Sequence, residues 1–567
     1  MLLFIIGLGF FEAIGLGLWF LLFKGNPKLK LILYTNLAVG IVFAWLYAVG
    51  WFFVLNPAYQ SFWWNLMVTL VIYLMIDVPL YNFVTEYESD DMKTLNSKAL
   101  VYIGSAIGIF VVVWFFTTSS VVRTDAVSHT VKIQEALPSL FKQISPEYVR
   151  LVPKKTAIML ADKTLGQVNN STGIVLGSQL ELDTEHATIQ KIAGKMYWII
   201  PLGYRGIFKQ FSFGNIPGYI KVSAYDPTQK AQFVKGYQIR YSLDAYFDRW
   251  AKRKLWQHNV LEKLTDFSFE VDDSGKPYIV ATIIKPAVGF GKYMPVGVKI
   301  LDVQTGKIKK YSMKNIPKWV DRVVPSNLIA ERLDEIGKWH NGVLPALFTG
   351  NGQWQLTDYG QTGKEMFFVE DGAGKTYWVS GVTSVGKDNS IIAIMAVDTR
   401  TGKTYKIPMS GPTELSVKQQ IESQLGVNQQ VWEAQLPILY NMFGKLTWVS
   451  VVVDKKRGFP IEYGLVDAGN QNHYAIGKDF LETVQKFFKK TIVSSIKKHV
   501  LIYSGTISRV NFVTNFAYIW ADKKVWICDV KSFPSCGVLA PNDKVLLRGY
   551  KEGKVIYIDK IQNFSLK

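Results

Sequence analysis

Six histidines, two cysteines and a few isolated acids are the groups through which this chain could do chemistry, and their spacing gives catalysis little support. His129, His186, His258, His340, His473 and His499 are scattered, with no HExxH and no paired spacing, so neither a histidine-held metal nor a histidine base is indicated. Gly372-Ala-Gly-Lys-Thr376 ends like a phosphate-binding loop, but that motif needs glycine where Val369 stands. Gly381-Val-Thr-Ser-Val-Gly386 has one residue too many before Ser384 to form a nucleophile elbow. No catalytic residue, cofactor or metal site is expected, and the chain reads as not an enzyme. Cys528 and Cys536 have seven residues between them and no CxxC partner. In an exported domain they would form a disulfide; in a reducing compartment they would remain two thiols.

Glu12 and Asp77 are the sharpest hint of function. Each sits inside an apolar run, Glu12 among Gly7, Gly9, Gly15 and Gly17, and Asp77 two residues before Pro79. An acid so placed in a membrane costs a few kcal/mol and normally faces a bundle interior. Three readings stay open: a proton- or ion-responsive site, a docking point for a basic partner helix, or protonated acids hydrogen-bonded within a bundle.

The elements that would hold those acids are four apolar runs, at 2–23, 31–55, 63–84 and 99–116, each near the ~20 residues a helix needs to cross a bilayer. The expected fold is therefore a four-span α-helical membrane domain over residues 1–120, followed by an α+β exterior part. Five lysines in the Lys24–Lys30 and Glu86–Lys98 loops, against none between Asn56 and Phe62, put those loops in the cytoplasm and the rest of the chain outside. The expected location is the inner (cytoplasmic) membrane, multi-pass, with the large C-terminal part extracytoplasmic.

The chain carries a net charge of +19, yet residues 1–120 hold only five lysines against six acids. The remainder is strongly basic, which favours membrane lipid headgroups or an anionic envelope polymer as partners. The basic residues are spread out, so nucleic acid is not supported. A protein partner and a homo-oligomer are both open.

After an entry region over 121–190, a repeat runs through 191–478. Gly194-Lys-Met-Tyr-Trp198, Gly275-Lys-Pro-Tyr-Ile279, Gly374-Lys-Thr-Tyr-Trp378 and Gly444-Lys-Leu-Thr-Trp448 each open a strand. A later strand ends at Asp226, Asp302, Asp398 or Asp467, followed in the second and third copies by Thr-Gly-Lys. Asp caps a turn and Gly supplies positive φ, so each copy reads as about three antiparallel strands, with helices predicted at 242–257, 326–340, 416–425 and 478–499. The repeated Trp198, Trp378 and Trp448 are read as core. Residues 479–567 read as a helix plus a small β-barrel resembling an OB-fold.

The Gly-Lys-x-Tyr-Trp strand and the Val-Asp-x-x-Thr-Gly-Lys turn resemble the PepSY module. The first copy has an insertion and lacks the turn glycine, and the fourth lacks Thr-Gly-Lys. The whole layout is also similar to membrane proteins of bacteria and large tailed phages. The PepSY-like resemblance implies binding, inhibition or scaffolding outside the cytoplasm. The expected function is a non-enzymatic, membrane-anchored interaction protein whose basic repeat domain binds an anionic envelope component or a partner protein. The alternatives are an oligomeric channel component using Glu12 and Asp77, or a regulator of an envelope protease or hydrolase.

Overall fold

The computed structural model of the chain describes residues 119–168, 175–259, 261–289, 291–343, 352–359, 364–385, 389–496, 500–513, 516–531, 533–552 and 555–565, with isolated positions between 105 and 117. The chain divides after Lys478 into two units.

The expectation of a four-span helical membrane protein, placed in the inner membrane, is corrected. The structure is mostly β, 45% strand against 23% helix, and among the described residues no helix is long and apolar enough to cross a membrane. The longest described helix, Phe480–Ile496, has 17 residues and carries Lys486, Lys489 and Lys490. The reading rests on apolar length, scarce charge and the lysines of two loops, and no described helix combines that length with that apolarity. Glu12, Asp77 and nearly all of the four runs lie outside the described residues.

In the first unit, α1 (Thr124–Ser128) and β1 (Ile133–Glu135) lead into four helix-and-sheet sets. The first set holds α2 (Lys154–Leu165), β2 (Leu180–Leu182), β3 (Thr188–Ile192), β4 (Lys195–Ile200), β5 (Leu202–Tyr204), α3 (Ile207–Phe213), β6 (Ile216–Ser223) and β7 (Gln232–Ile239). Its sheet runs β3-β4-β6-β7, with β2 and β5 paired apart. The second set is α4 (Ala251–His258) and the meander β8 (Lys263–Val271), β9 (Pro277–Val288), β10 (Gly291–Asp302) and β11 (Ile308–Ser312). The third is α5 (Ser326–Trp339), β12 (Trp354–Leu356), β13 (Phe367–Glu370), β14 (Thr376–Ser384), β15 (Ser390–Asp398) and β16 (Thr404–Pro412), with β1 added in parallel beside β16. The fourth is α6 (Glu414–Ser423), β17 (Trp432–Ala434), β18 (Ile438–Met442), β19 (Lys445–Asp454), β20 (Pro460–Asp467) and β21 (Asn470–Gly477). Here β17 and β18 both pair with β19, as β12 and β13 both pair with β14.

Local turn chemistry sets these hairpins. The Asp302 carboxylate accepts from the Gln304 and Thr305 N–H groups at 3.0 and 3.1 Å, and Gly306 takes φ 73°. Asp398 repeats this with Arg400 and Thr401, at 3.0 and 2.8 Å. Side-chain capping of a turn by Asp, with a left-handed glycine after it, reverses the chain without tertiary help. The Gly-Lys ends serve the preceding hairpin in two ways. Ala193-Gly194 and Phe443-Gly444 are two-residue turns with both φ values positive, whereas Asp272 and Asp371 cap longer ones.

The longer helices of the first unit lay an apolar face on strands. Ala157, Ala161 and Leu165 of α2 pack on β4, β6 and β7, and Ile329, Leu333 and Ile336 of α5 pack over β12. The residues entering each of the first three sets are clasped to that set's third turn. Leu151 and Val152 both donate to the Ala224 carbonyl, Arg240 and Tyr241 to that of Val303, and Val323 and Val324 to that of Thr399. The predicted 242–257 helix is only half formed, because Ser242 pairs as a bridge with Trp250 and helix begins at Ala251.

The second unit contains α7 (Phe480–Ile496), β22 (Val500–Thr506), β23 (Arg509–Val513), β24 (Phe516–Ala521), β25 (Lys524–Asp529), β26 (Lys544–Glu552) and β27 (Val555–Asn563). Its sheet runs β22-β26-β27-β25-β24-β23, and only β25 and β27 are parallel. β22 and β23 are two halves of one run bent at Ile507-Ser508, so the pairing closes on itself in the strand order of an OB-type barrel. Ala517, Ile519, Trp526, Val545, Leu547 and Ile556 fill the interior.

Candidate functional site

The side chains of β24 alternate between two environments. Ala517, Ile519 and Ala521 point into the barrel and are buried, whereas Phe516, Tyr518 and Trp520 stand on its outer face. Register extends that outer face sideways. Val513, Asn511 and Arg509 of β23 lie opposite Phe516, Tyr518 and Trp520, and Asp529, Ile527 and Val525 of β25 lie on the other flank. Successive outward residues on one strand are about 7 Å apart, so the three rings form a row. Phe516 is 41% exposed and Val513 50%. The Arg509 guanidinium sits 5.0 Å from the Trp520 ring centre, a cation–π contact that fixes the ring's orientation.

Two covalent and hydrogen-bonded features stiffen this wall from behind. Cys528, inward on β25, is joined by a disulfide to Cys536 in the connection to β26, with Cα atoms 6.3 Å apart and both residues fully buried. The Ser508 hydroxyl donates to the Trp520 carbonyl at 2.6 Å, tying the bend of the first strand to the end of the aromatic row. Residues 500–567 hold ten lysines and arginines against five acids. Such a face can stack flat rings and pair with negative charge. It presents no nucleophile–base pair.

The residues singled out from sequence fall elsewhere. Trp198, Trp378 and Trp448 are buried, and the indole N–H groups of Trp198 and Trp378 donate to the Val152 and Val324 carbonyls, both at 2.7 Å. Each acceptor residue precedes the proline that opens its helix, so these two tryptophans lock helix to sheet. Gly372-Ala-Gly-Lys-Thr376 is a hairpin turn: the Ala373 and Lys375 N–H groups point at the Asp371 carboxylate and are not free for a phosphate. A Cβ on Gly372 would lie 1.6 Å from the Gln143 carbonyl, so close packing explains that glycine. Ser384 ends a strand, not a strand-to-helix elbow. His186 is paired with Asp183 at 2.8 Å, and among the described residues no group of three or more metal-type ligands assembles.

Several acids are perturbed but enclosed. Burial pushes Glu270 up to about 8, with the Ser268 hydroxyl donating to it at 2.8 Å. Burial raises Glu414 as well, although the Gly381 N–H donates to it at 2.6 Å. Neither is open to solvent, so neither can meet a substrate. The outer aromatic row was missed from sequence. Its signal was the alternation Phe516-Ala-Tyr-Ile-Trp-Ala521, in which the large rings are the outward set.

No family model matches the chain, and no curated protein matches it in sequence. Among solved structures, it aligns with a Trp149Ala mutant of the Synechocystis apocarotenoid oxygenase at 10% identity and a TM-score of 0.17, covering 54% of this chain and 65% of that one. A B. megaterium levansucrase mutant gives 10% identity and a TM-score of 0.17 over 74% and 98% of the two chains. A Trypanosoma rangeli sialidase gives 10% and 0.15 over 72% and 57%. Similarities this low carry no argument about fold or activity.

Proposed function

We propose that the chain is a non-catalytic binding protein whose C-terminal barrel holds an acidic polysaccharide on its outer face. The observation that carries this reading is the row Phe516, Tyr518 and Trp520, standing outward on one strand with Arg509 over its last ring. Rings spaced along a strand suit the apolar faces of successive sugars, and Arg509 suits their carboxylates. Asn511 and Asp529 flank the row and offer partners to sugar hydroxyl groups. The helix-and-sheet sets, with their tryptophans and turn acids spent on packing, support a structural role for the first unit. That role agrees with the binding or scaffolding function that PepSY-like resemblance implies.

The test is a binding titration of the whole protein and of Tyr518→Ala/Trp520→Ala with polygalacturonate, a neutral glucan and an oligothymidylate. Polygalacturonate should bind best, and the double variant should bind it at least tenfold more weakly, since a stacked ring contributes about 1–3 kcal/mol. Tighter binding of the oligothymidylate, or equal polygalacturonate binding by the variant, would reject the proposal.

A further inference from the structure

Helix α3 is built the wrong way round for water. An amphipathic helix normally turns its apolar residues to the protein and its polar residues outward. Here Gln210 faces inward and is buried, its side chain accepting from the Tyr246 N–H at 2.7 Å and donating to the Tyr246 carbonyl at 3.1 Å. Phe208 and Phe211, one turn apart on the opposite side, are 83% and 67% exposed. Phe213 packs against the core and Gln210 satisfies the Tyr246 backbone, but neither contact requires rings at 208 and 211, where polar residues would be the ordinary choice.

The surrounding geometry makes the segment a projecting tip. Gly206 and Gly214 bracket it at φ 84° and 89°, and a Cβ on either would meet no neighbour within 4 Å. The neck is closed from below, because the Tyr204 hydroxyl and the Arg249 guanidinium both donate to the Gly214 carbonyl, at 2.6 and 2.7 Å. Phe247 stacks on Phe211 with ring centres 6.2 Å apart and extends the apolar surface together with Tyr246. Lys209 lies on the helix itself and Arg249 at its neck, bonded to Gly214, while Arg205, just before Gly206, donates to the Gly177 and Leu180 carbonyls. Asp248, next to Phe247, is paired with Arg240 at 3.5 Å.

We infer that this tip is a peripheral lipid-contact site, which sinks Phe208 and Phe211 into the interfacial zone of a bilayer bearing anionic headgroups. The shape is convex, so it matches a deformable apolar layer better than a protein pocket. The cations around it would lie at the level of the lipid phosphates. The contact is made by one short helix on the surface and involves no span. It is independent of the barrel's aromatic face.

The site can be read directly because Cys528 and Cys536 are bonded to each other, so one introduced cysteine can be labelled alone. Phe208→Cys carrying an environment-sensitive nitrobenzoxadiazole dye is compared with Val427→Cys carrying the same dye. Val427 is 86% exposed and lies on a different segment. Vesicles of phosphatidylcholine with a third phosphatidylglycerol should raise the emission at position 208 severalfold and leave position 427 unchanged. Pure phosphatidylcholine should have a smaller effect, and Phe211→Ser in the position 208 reporter should at least halve the response. If the protein sediments with the vesicles while the dye at 208 reports water, the tip is not the contact. If the dye stays silent and no protein sediments, the inference fails.

Discussion

Tryptophans and tyrosines stand on strands in both units, and they meet opposite fates. On β4, β14 and β19 the rings of Trp198, Trp378 and Trp448 lie under a helix or an incoming segment and are buried. On β24 they lie on the outside of a barrel whose interior is already filled by Ala517, Ile519 and Trp526. The difference is one of architecture. A sheet in a helix-and-sheet set buries its aromatic face to make its core, whereas a closed barrel makes its core on the inner face and leaves the outer one uncommitted. Rings on a face that stability does not require are the ones that carry a functional reading.

The comparison is broken most severely at Trp378. Trp378→Ala should cost about 3–5 kcal/mol, since it leaves a cavity and removes the bond to Val324, and chemical denaturation would register this as a lower midpoint. An effect below 1 kcal/mol would mean that the buried rings are no more structural than the exposed ones. The barrel's own core is tested by Cys528→Ser with Cys536→Ser. Loss of this short cross-link should destabilise the second unit by roughly 2–3 kcal/mol, and the same loss on reduction of the native protein is the control.

Glu270 supplies a pH-dependent version of the test inside a covered sheet. Its carboxyl is held up to about 8 in the folded state against about 4.3 in the unfolded chain. The folded protein therefore binds the extra proton between those values, and stability should fall as pH rises from about 4.5 to 8. Glu270→Gln should flatten that fall and raise the melting temperature at pH 8. An unchanged slope would mean that this carboxyl does not titrate in that window. At the small end stands Trp520→Ala, which should cost roughly 0.5–1 kcal/mol of stability while weakening polysaccharide binding tenfold. A large stability loss there would erase the contrast with Trp378.

How much could be read beforehand follows the range of the forces. The Asp302 and Asp398 turns were legible because their hydrogen bonds close within a few residues. The Gly-Lys hairpins were legible for the same reason. The fourth strand of each sheet was not. β7 and β21 are edge strands with half-exposed polar residues, and β12 and β17 have three residues each, too few to show a period. Helix α3 escaped because it has only seven residues and puts Gln210 inside and Phe208 and Phe211 outside, against the rule that locates helices. The β24 row was visible as alternation, but alternation does not say which set faces inward; the closure of β22 and β23 onto other strands decides that. The four-span reading failed for a related reason. A hydropathy count weighs residues one at a time and cannot see what surrounds them.

The clasp at the entrance of the first three sets has a consequence for how the chain reaches this structure. Each pair of N–H groups bonds to a carbonyl of its own set, as Val323 and Val324 do to Thr399, so the loop that must close lies within one set and not across the chain. Closure entropy is thus met in separate instalments of similar size. Sets emerging early from the ribosome have their clasp partners before later ones are made. Because the bonds use main-chain atoms alone, the closing step does not depend on any one side chain; what it requires of Val152, Ala224, Val303, Val323, Val324 and Thr399 is only that they fit the interior in which they are buried.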